Sequence, residues 1–333
     1  MIKPKSIPNT LYIGPKTDHP VHIGFAESIY AKFYSYDASM HFMSRLCMGM
    51  KLPNYDVYLL DAPAKLILKK ITTNCKLIQL TASLFYPHLT LGVPKIVPKW
   101  ERVAKKHLYR CLYRTVDGAI AVSEFIKNEA SKILKCPIKV VHPYIQPALY
   151  TRLSCLKPNL DTHKISFIGY HRENIRCDIL IEAFKLVKEE FRDSELYIIG
   201  KGHSKELERF GGIHVTGWVD DIVPFLQKTS LLVFPGYGQA FYIGVTEALR
   251  AGVPALISKY TGAKDVVKEI KREFIRNITP EDFAKGIAWY FDLSLDEKKQ
   301  YSKRARAVSE GFTKKRKCQE FREKFESLLE EIG

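Results

Sequence analysis

Apolar positions in this chain gather into short runs, separated by stretches in which they recur at helical spacing. In the first half, residues 10–14, 55–62, 76–83 and 118–123 read as buried strands, followed by another at 138–143. Between them lie predicted helices over about 24–33, over 99–116 and over 123–134, the last opening on Ser123 as N-cap. Strands alternating with helices predict a parallel sheet covered on its faces. Residues 144–164 interrupt the pattern with Pro147, Pro158 and polar positions, and the domain linker is placed there. The alternation then resumes. Strands are expected at 165–170, 195–200, 213–218, 231–236, 253–258 and 273–278, with helices at 178–190, near 203–209 and from about 243. From Pro280 the chain reads as helical to its end, and Phe321, Phe325, Leu328, Leu329 and Ile332 share one face of the last helix. The predicted class is α/β: two doubly wound domains, 1–150 and 160–312, and a C-terminal helix, 313–333, packing on the first. A ligand is expected where the strand C-termini of both domains meet.

A length of 333 residues suits two domains rather than one core, and 46% hydrophobic with 26% charged residues describes a water-soluble globular chain. No apolar run is long enough to span a bilayer, and the first residues carry no signal-peptide core, so a cytoplasmic location is expected. Seven scattered cysteines, 47, 75, 111, 136, 155, 177 and 318, form no C-x-x-C pair. With no H-x-x-x-H spacing either, neither a disulfide framework nor a metal site is expected. Net charge is +16, and residues 1–150 hold 21 Lys+Arg against 9 Asp+Glu. Such a surface attracts nucleic acid, anionic lipid or phosphorylated small molecules. The 99–116 stretch sets Lys99, Arg102, Lys105, Lys106, Arg110 and Arg114 among Trp100, Tyr109 and Tyr113. It reads either as a peripheral contact with an anionic membrane or as a core helix with solvated cations.

Chemistry concentrates around Glu247, the lone acid of the apolar run 237–254. Glycines and aromatics precede it, and Gly252-Val253-Pro254 ends its helix. A helix start suits phosphate, and a carboxylate in its first turns can accept hydrogen bonds from a ribose diol. A solvent-facing helical glutamate is the alternative.

These residues resemble the GT-B retaining glycosyltransferases of family four. That family's E-G-F-G-L-x-x-x-E-A-x-A-x-G-x-P aligns without gaps on QAFYIGVTEALRAGVP, matching Phe241, Glu247, Ala248, Gly252 and Pro254. VTGWVDDIVPFLQKTSLLVFPG, TGAKDVV, VDGAIAVSEFIKNEASKIL and HPVHIGFAESIYAKF are similar to further family segments in the same order. The resemblance covers most of residues 10 to 310. It implies two Rossmann-like domains facing across a cleft and transfer of a sugar, with retention, from a nucleotide diphosphate-sugar to a glycan, lipid-linked or protein-linked acceptor.

It also implies roles. Glu247 would hold the donor ribose, and the backbone at Tyr242 and Ile243 the pyrophosphate. Val219 would lie against the base, and Gly24 would let a loop of the first domain approach the phosphates. Departures stand beside these matches. Gln239 replaces the first Glu of the pair, which contacts the donor sugar, while Ala240 and Tyr242 replace glycines. The family's Arg and Lys for the pyrophosphate are represented by Arg172 and Arg176 at altered spacing. Its first-domain His falls near Ser83, leaving His22, Ser83 and His88 as catalytic candidates. Cations and helix dipole would stabilise the leaving diphosphate, so no metal or other cofactor is expected. Two other classes remain open: a non-catalytic relative acting as scaffold or regulatory subunit, and a basic nucleic-acid-binding protein. No nucleic-acid motif is present, and nucleic acid is not the expected partner.

Overall fold

A computed structural model describes residues 7–16, 19–37, 44, 50–60, 70, 72–83, 111 and 113–333. His88 and most of the basic 99–116 stretch lie outside the described residues.

Two sheets organise the chain. The first contains β1 (Thr10–Pro15), β2 (Lys32–Tyr36), β3 (Val57–Leu60), β4 (Lys76–Thr81), β5 (Gly118–Ala121) and β6 (Ile138–Val140), in the order β2-β1-β3-β4-β5-β6. The second contains β7 (Lys164–Ile168), β8 (Glu195–Ile199), β9 (Ile213–Gly217), β10 (Leu231–Phe234), β11 (Ala255–Ser258) and β12 (Ile275–Arg276), in the order β12-β11-β10-β7-β8-β9. Every pairing in both sheets is parallel. Val57–Leu60 and Leu231–Phe234 are buried at all four positions, as befits central strands covered on both faces. In the second sheet the chain runs outward from β7 through β8 and β9, then returns to lay β10 on the other side of β7. That reversal is a topological switch point, the place where open α/β sheets receive ligands.

The chain divides into two compact units, Met1–Tyr144 with Lys314–Gly333, and Ile145–Thr313. Residues 145–150, expected with the first domain, fold with the second, because the stretch expected as linker contains a helix, Pro147–Cys155. Its proline stands at the first helical turn, where a missing N–H costs nothing. Ser154 anchors it, its hydroxyl accepting from Arg250 Nε (2.7 Å) and its carbonyl from Arg306 Nη1 (3.1 Å).

The helix expected over about 24–33 spans Pro20–Ser28 instead, and Lys32–Tyr36 is a strand. Pro20 starts the helix, the ring nitrogen of His19 accepts from Val21 N at 3.3 Å, and Tyr30 at φ 56° turns the chain out into β2.

The C-terminal helix Lys314–Ile332 packs within the first unit. Phe321 stacks on Phe25 with ring centroids 4.6 Å apart, and Leu328 lies over Gly118. Arg322 Nε donates to the Ser28 carbonyl at 2.7 Å, and Lys76 Nζ to the Ile332 carbonyl at 2.8 Å. Gly24 sits inside the Pro20–Ser28 helix, fully covered. A side chain there would collide with the hydroxyl of Tyr144, which is itself donated to the Pro20 carbonyl at 2.9 Å. The packing of this unit is therefore enough to require glycine at 24. No helix of the described residues is long and apolar enough to cross a membrane.

Candidate functional site

The site is built at the switch point of the second sheet. β7, β8 and β9 end side by side in Gly169, Gly200 and Gly217. Gly169 N donates to Ile199 O and Gly200 N to Gly217 O, each at 2.8 Å. Gly200 has φ 143°, and a Cβ there would run into the Gly169 carbonyl, so the strand ends approach this closely only because residue 200 is a glycine. On the other side of β7, the loop after β10 leads into the helix Ile243–Ala251. Gly252 ends that helix at φ 82°, and Arg306 caps it by donating to the carbonyls of Arg250 (2.9 Å) and Ala251 (2.7 Å). With its C-terminus fixed in this way, the helix presents its N-terminal turn, and the amides that lack intrahelical partners, to the strand ends.

A cavity of about 380 Å³ opens here, within the range of roughly 300–1,000 Å³ typical of small-molecule sites. Its wall includes Ile168, Gly169 and Tyr170 from the end of β7, Trp218 and Val219 after β9, and Gln239, Tyr242 and Glu247 from the loop and helix after β10. Arg172 supplies a cation to the wall, its guanidinium 5.6 Å from the Tyr170 ring. Tyr170 and Trp218 are 43% and 54% exposed, stack nearly parallel at 5.9 Å, and form a flat aromatic rim, with Lys201 Nζ 5.0 Å from the Trp218 ring. Trp218 is held in plane by its Nε1 donating to Asp220 at 2.9 Å.

Among the described residues, Glu247 is the one carboxylate that lines the cavity. The residue is half-buried in the cavity wall, and desolvation by the surrounding protein raises its carboxyl pKa from 4.5 to about 7. No hydrogen bond from a described residue compensates it. A half-buried acid with a raised pKa in a cavity wall is the kind of perturbed group that gathers at ligand sites.

Several residues singled out from the sequence are not among those that line this wall. Arg176 is outside the wall, at φ 54°, with its guanidinium on Asp178 at 2.8 and 3.0 Å. Phe241 is buried against Phe312 at 5.9 Å, and Ile243 is helical and half-buried outside the wall. Gly24, His22 and Ser83 belong to the first unit: His22 is half-buried with its ring 5.8 Å from His19, and Ser83 is exposed just after β4. Conversely, Tyr170, Gly200, Trp218 and Gly244 contribute to the site without having been picked out by sequence. The exposed aromatics that follow two of the strand ends were the available signal. Among the described residues, no three His, Cys, Asp or Glu side chains are grouped so as to hold a metal ion.

Residues 162–292, which include the whole cavity wall, match the family model described as glycosyl transferases group 1. Among curated proteins, the chain is similar to O-antigen chain mannosyltransferase B of Escherichia coli, 24% identical over 208 residues, 52% of this chain and 51% of that one. The chain spans about half the length of the curated relatives it matches. Among solved structures, a glycosyltransferase from Rickettsia africae matches at a TM-score of 0.71 and 15% identity, covering 96% of this chain and 98% of that one. Anabaena HepE in complex with UDP-glucose also matches at 0.71, with 14% identity and coverage of 96% and 100%. At these identities the structural likeness shows a shared fold: two parallel-sheet α/β units in one chain.

Proposed function

We propose, from the premise that residues 162–292 belong to the group 1 glycosyltransferases, that the protein transfers a sugar from a nucleoside diphosphate-sugar to an acceptor. The observation that carries this reading is Glu247, a half-buried carboxylate with a raised pKa in the cavity wall, on the helix whose first turn borders the same cavity. A ribose diol donates hydrogen bonds to this carboxylate. The diphosphate then falls toward Arg172 and the start of the 243–251 helix, where charge-assisted bonds and the helix dipole favour it. The base extends toward Val219 and the Tyr170–Trp218 rim. As the bond to the sugar breaks, negative charge grows on the departing diphosphate, and the Arg172 cation and the helix dipole stabilise it. That role needs no metal ion.

The finer reading is a hexose donor, transfer with retention, and a glycan or lipid-linked acceptor bound by the basic first unit, which also meets an anionic membrane surface from the cytoplasmic side. The name of the mannosyltransferase relative and the UDP-glucose in the HepE structure support a hexose donor. Gln239, in the cavity wall where the resembling family has Glu, is the residue through which sugar preference is expected to differ.

Titration of UDP into the wild-type chain and into Glu247→Ala tests the donor site. Loss of a charge-assisted hydrogen bond costs roughly 1.5–3 kcal/mol, about a ten- to hundredfold weaker Kd. Equal affinities in the two proteins would remove Glu247 from the donor site.

A further inference from the structure

The 243–251 helix is entered through a residue that its backbone disfavours. Tyr242 has φ 70° and ψ 86°, in the left-handed region where glycine is at ease and a ring-bearing side chain is strained. The strain is held in place by contacts that turn the ring into the site rather than out to solvent. The ring lies parallel to Phe234, centroids 3.5 Å apart at 11°, and its hydroxyl donates to the Ile168 carbonyl at the end of β7. It also lies along the first turn of the helix: a Cβ added at Gly244 would stand 3.1 Å from Tyr242 Cζ and 3.2 Å from Oη. Ile168, Tyr242, Gly244 and Glu247 border one cavity.

We infer that Tyr242 is a specificity-determining residue of this site, its ring covering the helix turn that a diphosphate must reach. The inference rests on the donor-site reading above. A ligand that engages Glu247 and the aromatic rim alone enters past the ring. One that also seats a diphosphate on the first-turn amides must swing the ring off Phe234 and break its bond to Ile168. The wild-type site thus favours the nucleoside part over the diphosphate, and it admits a diphosphate only when the rest of the ligand binds well enough to displace the ring.

Calorimetric titration of uridine and of UDP into the full chain tests this, with Tyr242→Gly, Tyr242→Phe and Glu247→Ala as variants. Tyr242→Gly is expected to tighten UDP binding by about tenfold or more while leaving uridine within about twofold. Tyr242→Phe keeps the ring but loses its anchor, and is expected to tighten UDP by a smaller factor. A folded Tyr242→Gly chain that binds UDP no better than wild type overturns the inference. If that variant does not fold, unchanged UDP affinity in Tyr242→Phe overturns it. UDP binding that depends on Glu247 but on neither Tyr242 variant sinks the inference and leaves the donor-site reading standing. Absence of uridine and UDP binding in all four proteins sinks both.

Discussion

Phe321→Ala is expected to destabilise the first unit by about 3–5 kcal/mol, the usual cost of emptying a buried phenylalanine site. Phe321 and Phe325 are both fully buried. The Phe321 ring stacks on Phe25 at 4.6 Å, and Phe25 in turn meets Tyr144 edge-on at 5.8 Å. Truncation removes one ring of a packed column, and the void cannot close easily. The helix is tied on both sides of it, by Cys318 Sγ to the Gly24 carbonyl at 3.4 Å and by Arg322 to Ser28. Lys324→Ala, one turn along on the exposed face, should stay within about 0.5 kcal/mol of wild type. Urea unfolding of the two variants checks the contrast. If Phe321→Ala were as mild as Lys324→Ala, the C-terminal helix would not be part of the core of this unit.

The second large effect depends on pH. Burial raises the Glu247 carboxyl from 4.5 to about 7. Below the unfolded value both states hold the proton, and above the folded value both have lost it. Between them the native state keeps a proton that the unfolded chain has released, so stability falls as pH rises through the window from about 4.5 to about 7. At 1.36 kcal/mol per unit, the loss amounts to about 3 kcal/mol, and it persists at higher pH. Glu247→Gln cannot titrate. Stability of wild type minus that of Glu247→Gln, from urea unfolding between pH 4 and 8, is therefore expected to fall by about 3 kcal/mol across the window and then level off. Saturating UDP should flatten the fall, since ribose donors favour the charged carboxylate. A difference that stays level throughout would mean that the carboxylate is solvated in the free protein.

Which parts of this architecture were legible in sequence follows from burial. β3 and β10 are buried at every position and read as unbroken apolar runs. β2 is an edge strand with four of its five residues exposed, so KFYSY carries no alternation to find. The Pro20–Ser28 helix starts on a histidine cap and a proline, outside the usual Ser, Thr, Asp or Asn signature, and the Pro147–Cys155 helix starts on a proline easily taken for a breaker. Glu247 stood out because it is the one acid of an apolar run, and the same isolation leaves it unpaired in the fold. Gly200, Tyr170 and Trp218 were not legible as site residues. They lie far apart along the chain and become neighbours only through the strand order β10-β7-β8-β9. Tyr242 was visible as a bulky residue where the resembling pattern has glycine. Sequence could not say that its ring turns inward onto Phe234.

Consumption of a nucleotide-sugar at the second unit is measured by following nucleoside diphosphate release from a panel of UDP- and GDP-hexoses. Wild-type chain and Glu247→Ala are compared side by side. The expected result is that at least one donor releases its diphosphate above the buffer rate with the wild type, and that Glu247→Ala lowers kcat/KM for it by about tenfold or more, the equivalent of roughly 1.4 kcal/mol. Release that is the same in both proteins, or no release from any donor, would contradict it.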